Sequence, residues 1–328
     1  MLLARRAGQY LLVLWAAVSL NFALPFIAPG DPVQYLYGGA EGNLAAESVE
    51  QIRAGYGLDR SVPEQYLSFW TGLFHGDLGM SISHNRSVLD VLMDKLPWTL
   101  ALVGFGVAIA AGLGTILGTW AAFRRGTKRE TATVTSVLAV DSMPGFWVGM
   151  ILIAVFSVQL GWFPSYGAAT IDASGWAWLT EVATRMVLPV ATLAVASIGG
   201  FFLLARASTV GVLEEPFIRL ARAKGLSERR VAFGHALRNA LLPVFTSLTL
   251  AAGAMLSGAV VVESVFAYPG LGKLTFDAVT TRDYPLLQGA FLLATVGIVA
   301  ANLLADLAYP FIDPRLRRQQ RAAAAVAA

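Results

Sequence analysis

Six stretches of this chain have the length and character of membrane spans, and they constrain the fold more than any other feature. They cover residues 9–28, 97–123, 133–158, 186–206, 241–266 and 285–312, and each carries at most one charged side chain. An α-helix rising about 1.5 Å per residue needs about 20 residues to cross a hydrocarbon layer of about 30 Å. A helix also satisfies its own backbone N–H and C=O groups where no water is available. The chain is 56% hydrophobic and 14% charged, against about 45–50% and about 25% in a soluble domain. The expectation is an all-α membrane protein with six transmembrane helices.

The polar intervals give the organisation. Arg5 and Arg6 precede the first block, as in a cleavable signal peptide. That apolar stretch is long, and no small-x-small cleavage site precedes Pro29-Gly30-Asp31-Pro32, so residues 1–29 are expected to be a retained anchor helix. Residues 30–96 open on that turn and form the longest polar stretch, an expected folded extracytoplasmic region. A core over 97–312, containing a cytoplasmic loop at 207–240, and a tail at 313–328 complete the chain. Asp141-Ser142-Met143-Pro144-Gly145 interrupts the third block. Proline removes a helical hydrogen bond, so a kink is expected there.

Charge sets the orientation. With the N-terminus inside, the inner segments hold 17 of the 24 Lys and Arg residues but only five acidic ones: Glu130, Glu214, Glu215, Glu228 and Asp313. Positive segments are retained in the cytoplasm during insertion, so both termini are expected inside. Ala110, Gly114 and Gly118 repeat every fourth residue in the second block, as do Ala254 and Gly258 in the fifth. Such spacing suits close helix packing in lipid, although Gly and Ala are also simply common there.

Several chemistries are excluded or weakened. Without cysteine there is no disulfide, thiolate nucleophile or Cys-based metal site. His75, His84 and His235 lack metal-ligand spacing and read as loop residues, so no metal is expected. Pro269-Gly270-Leu271-Gly272-Lys273 has a superficial likeness to a phosphate-binding loop but lacks its spacing and its Ser/Thr. Asp141, Glu263 and Asp306 are intramembrane carboxylates and so functional candidates. They keep open an ion-coupled secondary transporter using Asp141 and Glu263, while Glu263 and Asp306 sit nearer helix ends, where a partner or solvent would serve them. A membrane-anchored sensor would need a soluble signalling domain, and the tail is short and Ala-rich.

The loop between the fourth and fifth blocks carries the most information. Gly225 suits a helix C-terminus and Ser227 the next N-cap. Before the turn, Leu213, Phe217, Leu220, Ala221 and Lys224 fall on one broad face. After it, Phe233, Ala236, Leu237, Ala240 and Leu241 follow amphipathic helical spacing, with Arg229, Arg230 and Arg238 on the other side. Such a pair either lies on anionic lipid or docks into a groove on a cytoplasmic partner. Small residues at the turn (Ala221, Ala223 and Gly225) suit close approach of another protein.

The run from Phe217 through Ala221-Arg222-Ala223-Lys224-Gly225-Leu226-Ser227 to Arg230, followed by His235-Ala236-Leu237-Arg238-Asn239-Ala240-Leu241-Leu242-Pro243, resembles the signature loop of bacterial dipeptide/oligopeptide ABC-transporter permeases. Pro29-Gly30-Asp31-Pro32, Gly57-Leu58-Asp59, Gly76-Asp77-Leu78-Gly79 and Leu96-Pro97 are similar to the outer region of the first of that family's two permeases. Val262-Glu263-Ser264-Val265-Phe266-Ala267-Tyr268-Pro269-Gly270-Leu271-Gly272 and Asp313-Pro314-Arg315 are similar to its C-terminal third. The loop departs from the general importer motif, with Arg219 and Leu220 where Glu and Ala would stand, as in the peptide-type subfamily.

The resemblance implies a type I ABC importer permease fold, N-in/C-in, in the bacterial inner membrane. It implies a non-catalytic subunit that binds no cofactor itself, with ATP and Mg used by partners. Those partners would be a second homologous permease, two cytoplasmic ATPase subunits and an extracytoplasmic solute-binding protein, besides membrane lipid, with no nucleic acid. Arg219, Leu220, Ala221, Arg222, Ala223, Lys224, Gly225 and Leu226 would form the ATPase-coupling segment. Asp141, Phe146, Trp147, Met255 and Glu263 are the expected pathway residues. Peptides are the expected solute, with nickel complexes, glutathione, haem or sugars as alternatives.

Overall fold

Helices dominate because a helix satisfies its own backbone in lipid, and prolines such as Pro97, Pro189 and Pro243 are tolerated inside them. The structure, a computed structural model, describes residues 2–27, 59–169, 174–254 and 259–312. The expectations for Met255, Gly258, residues 30–58 and the tail at 313–328 lie outside those residues. In chain order the elements are α1 (Leu2–Ile27), α2 (Val62–His75), a hairpin of β1 (Met80–Ser81) and β2 (Arg86–Ser87), and α3 (Val88–Phe123). Then come α4 (Lys128–Asp141), α5 (Gly145–Leu152), a π-helical continuation over Ile153–Gln159, and α6 (Gly175–Leu213). The chain goes on through α7 (Pro216–Ala223), the single turn α8 (Glu228–Arg230), a second π-helical segment (Val231–Ala236) and α9 (Leu237–Ala254). It closes with α10 (Val260–Val265), α11 (Leu271–Thr280) and α12 (Tyr284–Ile312).

Among the described residues three helices are long and apolar enough to cross a membrane: Val88–Phe123, Gly175–Leu213 and Tyr284–Leu304. The pair Lys128–Asp141 and Gly145–Gln159 is apolar enough when taken together but bends by 93°. Gly8–Ala23 and Asn239–Ala251 are shorter apolar helical stretches. The expected kink at Pro144 is therefore a full break. Pro144 has extended ψ and starts α5, while Ser142 ends α4. The helices also outrun their apolar blocks. α3 begins at Val88 and continues through Pro97, and α6 runs from Gly175 to Leu213 with Pro189 inside it.

The chain divides into two compact units: residues 1–100 with 255–299, and residues 101–254 with 300–328. In the first, Val88, Val91 and Leu92 pack with Leu271, Leu274, Ala278, Leu286 and Ala290. Asp283, fully buried, joins the hairpin to the start of α12. Its Oδ2 accepts from Ser81 Oγ (2.6 Å), Ser83 N–H (2.9 Å) and Ser83 Oγ (2.6 Å), while Oδ1 accepts from the Leu286 N–H (3.1 Å).

In the second unit α6 is the central strut, packed against α4, α5 and α9. Two glycines of the expected small-residue ridge bring α3 against it. A Cβ on Gly114 would stand 2.9 Å from the Ile198 carbonyl oxygen, and one on Gly118 would stand 2.4 Å from that of Phe202. This is backbone-to-backbone packing, which lipid-embedded helices use in place of a hydrophobic drive.

Candidate functional site

The loop after α6 is a helix–turn–helix whose turn is built by one glycine. Glu215, with extended backbone, precedes α7, and Pro216 takes its first position, where a missing N–H costs nothing. α7 ends at Gly225, φ +75°, which donates its N–H to the Arg222 carbonyl (2.9 Å) while Lys224 N–H reaches that of Leu220 (3.0 Å). A Cβ there would strain the left-handed backbone. Arg222 closes the turn with a two-point pair to Glu228, Nε to Oε1 at 2.9 Å and a terminal nitrogen to Oε2 at 3.1 Å.

Burial divides the loop into an inner and an outer face. Ile218, Ala221, Val231 and Ala236 form its core, against Phe123, Val212, Leu213 and Leu226. The large apolar side chains point the other way: Leu220 is 56% exposed, Phe233 43% and Phe217 38%. This corrects the sequence-based faces. Phe217 and Leu220 do not share Ala221's buried side, and Phe233 and Leu241 do not share that of Ala236. In α7 the buried side is that of Ile218 and Ala221, each about 100° from Phe217 and Leu220; for Phe233 and Leu241 the cause is the wider π-helical turn over Val231–Ala236, which departs from 3.6-residue spacing. Of the eight expected coupling residues, Arg219, Leu220, Arg222, Ala223, Lys224 and Gly225 are exposed, Leu226 is half-buried and Ala221 buried.

Beside this pair, Trp120, Phe123 and Arg124 of the α3 end line an open groove of about 530 Å³ with Glu228, Arg229, Ala232 and Phe233. The start of α4 is fastened by Glu130, which the sequence reading did not single out. Glu130 is buried, and its carboxylate accepts from the Gly126 N–H (2.5 Å), from Arg206 Nε (3.0 Å) and from a terminal nitrogen of Arg206. Arg206 stands on α6 ahead of the loop, so the pair ties the start of α4 to that helix. Thr127, three residues before Glu130, has capping-box spacing, and its Oγ1 accepts from the Glu130 N–H (3.3 Å). That spacing was the available sequence signal.

The intramembrane candidates Asp141 and Glu263 belong to different units and are described within each. In the second unit, Asp141 is exposed at the end of α4, with its carboxyl over Gly199, where a Cβ would stand 2.2 Å away. Phe146 and Trp147, on α5 beyond the break, are 45% and 44% exposed. In the first unit, Glu263 is fully buried and bonded to the fold. Its Oε1 accepts from Thr99 Oγ1 (2.8 Å), and its Oε2 accepts from the Lys273 N–H (2.9 Å). The same Thr99 oxygen accepts from the Leu271 N–H (2.7 Å). A carboxylate here offsets the open N–H groups and positive end of α11. Gly270 and Gly272 make room for it, since a Cβ on Gly270 would lie 2.3 Å from the carboxyl carbon. The phosphate-loop-like glycines therefore cradle a side chain of the chain itself.

Several apolar helices, one broken span and a buttressed helix–turn–helix with exposed apolar side chains define a polytopic membrane protein. Comparison with known sequences specifies the class. Residues 114–318 match the family described as binding-protein-dependent transport system inner membrane component, and residues 1–103 match the corresponding N-terminal membrane component.

The chain belongs to that family, and it is a permease subunit of an ABC importer in the cell membrane. It is 34% identical to the di/tripeptide transport system permease protein DppB of Pseudomonas aeruginosa (strain UCBPP-PA14), covering 97% of this chain and 99% of that protein. It is 35% identical to the dipeptide transport system permease protein DppB of Escherichia coli (strain K12), over 96% and 98% of the two chains. Two inward-facing structures of the MetNI methionine ABC transporter share the fold. One superimposes with TM-score 0.55 at 15% identity, covering 68% of this chain and 96% of that one. The other gives 0.52 at 16%, covering 69% and 97%.

Proposed function

We propose that this subunit conducts di- or oligopeptides across the inner membrane, driven by ATPase subunits that seat on the Arg219–Leu226 segment. The observation that carries the coupling reading is the exposed apolar face of Phe217, Leu220 and Phe233 on a loop whose inner face is already packed. Peptides are favoured as solute because both DppB relatives are named for peptide transport.

Six spans with both termini inside are supported by the three long apolar helices, the bent pair and the two shorter apolar stretches, together with the concentration of Lys and Arg in the expected inner segments. In this reading a second, homologous permease completes the pore and an extracytoplasmic binding protein delivers the solute. ATP and Mg belong to the two ATPases, and this chain binds no cofactor. Closure of the ATPases moves the coupling segments, and α6 carries that movement to the α4–α5 break. Asp141, Phe146 and Trp147 line the path near that break. Met255 and Glu263 contribute on the fifth span, Glu263 by holding backbone in place.

The test is a crosslink. The chain has no native cysteine, and Ala223 is exposed at the turn. An Ala223→Cys variant is expected to crosslink to a co-expressed ATPase subunit, with a yield that changes on adding ATP. A chain that purifies without an ATPase, and moves solute in liposomes on a proton gradient alone, overturns the reading.

A further inference from the structure

The helix α2 has three faces, and among the described residues only one of them meets a neighbouring helix. At 100° per residue, Tyr66, Phe69 and Leu73 share the half-buried face that turns toward α1. Tyr66 Oη lies 2.7 Å from Ser19 Oγ, and the Phe22 ring meets those of Tyr66 (5.2 Å) and Phe69 (5.7 Å). Glu64, Ser68, Thr71 and His75, at i, i+4, i+7 and i+11, make an exposed polar face. Between the two runs an apolar wedge of Pro63, Leu67, Trp70 and Phe74, of which Trp70 is half-buried with its ring against that of Tyr66 (6.2 Å). Leu67 is 65% and Phe74 80% exposed, and α2 has no fully buried residue.

We infer that this wedge is a membrane-surface anchor: α2 lies in the lipid interface at the C-terminal end of α1, its wedge among the acyl chains and its polar face toward water. The depth follows from α1. Ser19 and Phe22, which hold α2, belong to the apolar stretch Gly8–Ala23, so α2 is pinned alongside a membrane segment and not beyond it. The neighbouring surface of α1 is of the same kind, with Leu20 70% and Trp15 57% exposed, and the wedge continues it. The wedge carries no charge, and its ring pair (Trp70 and Phe74, 5.9 Å between centroids) suits the aromatic belt at a bilayer surface. A 14-residue helix is marginal in water by itself, and lipid supplies the missing cover.

Single nitroxide labels test this in the full chain, since no native cysteine competes. Leu67→Cys, Phe74→Cys, Ser68→Cys and Thr71→Cys are compared with Leu11→Cys on α1, which is 67% exposed. The chain is placed in nanodiscs of phosphatidylethanolamine and phosphatidylglycerol and in membrane vesicles from the cell that makes it. Labels at Leu67 and Phe74 are expected to collide with oxygen several-fold more than with a water-soluble nickel chelate, as at Leu11. Those at Ser68 and Thr71 are expected to show the opposite ratio. Equal ratios at all four positions, or free access of the chelate to Phe74, overturn the anchor. Protection of Leu67 and Phe74 from both reagents in the native vesicles overturns it in favour of a protein cover.

Discussion

Replacing Gly118 by alanine puts a methyl group where the structure has room for a hydrogen. The new Cβ would stand 2.4 Å from the Phe202 carbonyl oxygen, 2.9 Å from the Arg206 nitrogen and 3.1 Å from the Ala205 Cβ. Two of these are backbone atoms of α6, so no rotamer relieves the contact. To reach ordinary contact the two helices must part by about 1 Å, loosening side chains along the whole seam. Overpacking of this kind costs about 1–3 kcal/mol, and the better helix propensity of alanine returns at most about 1 kcal/mol. The net expectation is a loss of about 1–2 kcal/mol. Gly112 supplies the control on the same helix, since a Cβ there meets nothing within 4 Å; Gly112→Ala is expected to be neutral or slightly stabilising. Thermal unfolding in detergent, followed by size-exclusion of a fluorescent fusion, compares the two. If Gly118→Ala melts with Gly112→Ala, the α3–α6 contact is not as close as described and the reasoning fails.

Other consequences are as direct. Glu263→Ala strips the acceptor from the Thr99 hydroxyl and the Lys273 N–H and is expected to cost about 3 kcal/mol. Thr99→Val should cost about 1–2 kcal/mol, and the double variant less than the sum because the groups share bonds; strict additivity in the same melting assay would contradict the shared network. Leu220→Arg leaves the fold intact, because that side chain is exposed, but is expected to weaken ATPase capture at least tenfold, about 1.4 kcal/mol; unchanged pull-down would refute the docking face. Hydrogen bonds from the Ser61 hydroxyl and backbone N–H hold the Glu64 carboxyl below its ordinary value. A depressed native pKa adds stability above the unfolded pKa, and that stability is lost as the pH falls through the native value. Amide exchange in the first turn of α2 should therefore be flat from pH 8 down to about 5, once corrected for intrinsic rates, and lose protection below about pH 4.

The three long apolar helices were legible because lipid enforces a length that a run such as residues 97–123 either meets or does not. The turn at Gly225 was legible because a left-handed residue is a local demand with a local solution. Pro144 announced an interruption, but whether it gives a kink or a 93° break depends on how α4 and α5 pack on α6. The outward turn of Phe233 could not be read by assuming 3.6 residues per turn, because the π-helical segment changes the period itself. Glu263 was visible as a carboxylate in an apolar run and not as a bonded one, since Thr99 lies 164 residues away. Asp283 was missed altogether for the same reason: its serine partners are about 200 residues upstream.

The division of the chain into units has a consequence for how it is made. The first unit is assembled from residues 1–100 and 255–299, with the second unit's main segment between them. A ribosome therefore releases Thr99, Val88 and Ser81 long before Glu263, Leu271 and Asp283 exist to meet them. Until then the hydroxyls of Ser81 and Ser83 and the apolar face at Val88–Leu92 wait without their native cover, while the main segment of the second unit is still being made. A chain that stops early would keep those surfaces open permanently, marking it for the proteases that clear unfinished membrane proteins.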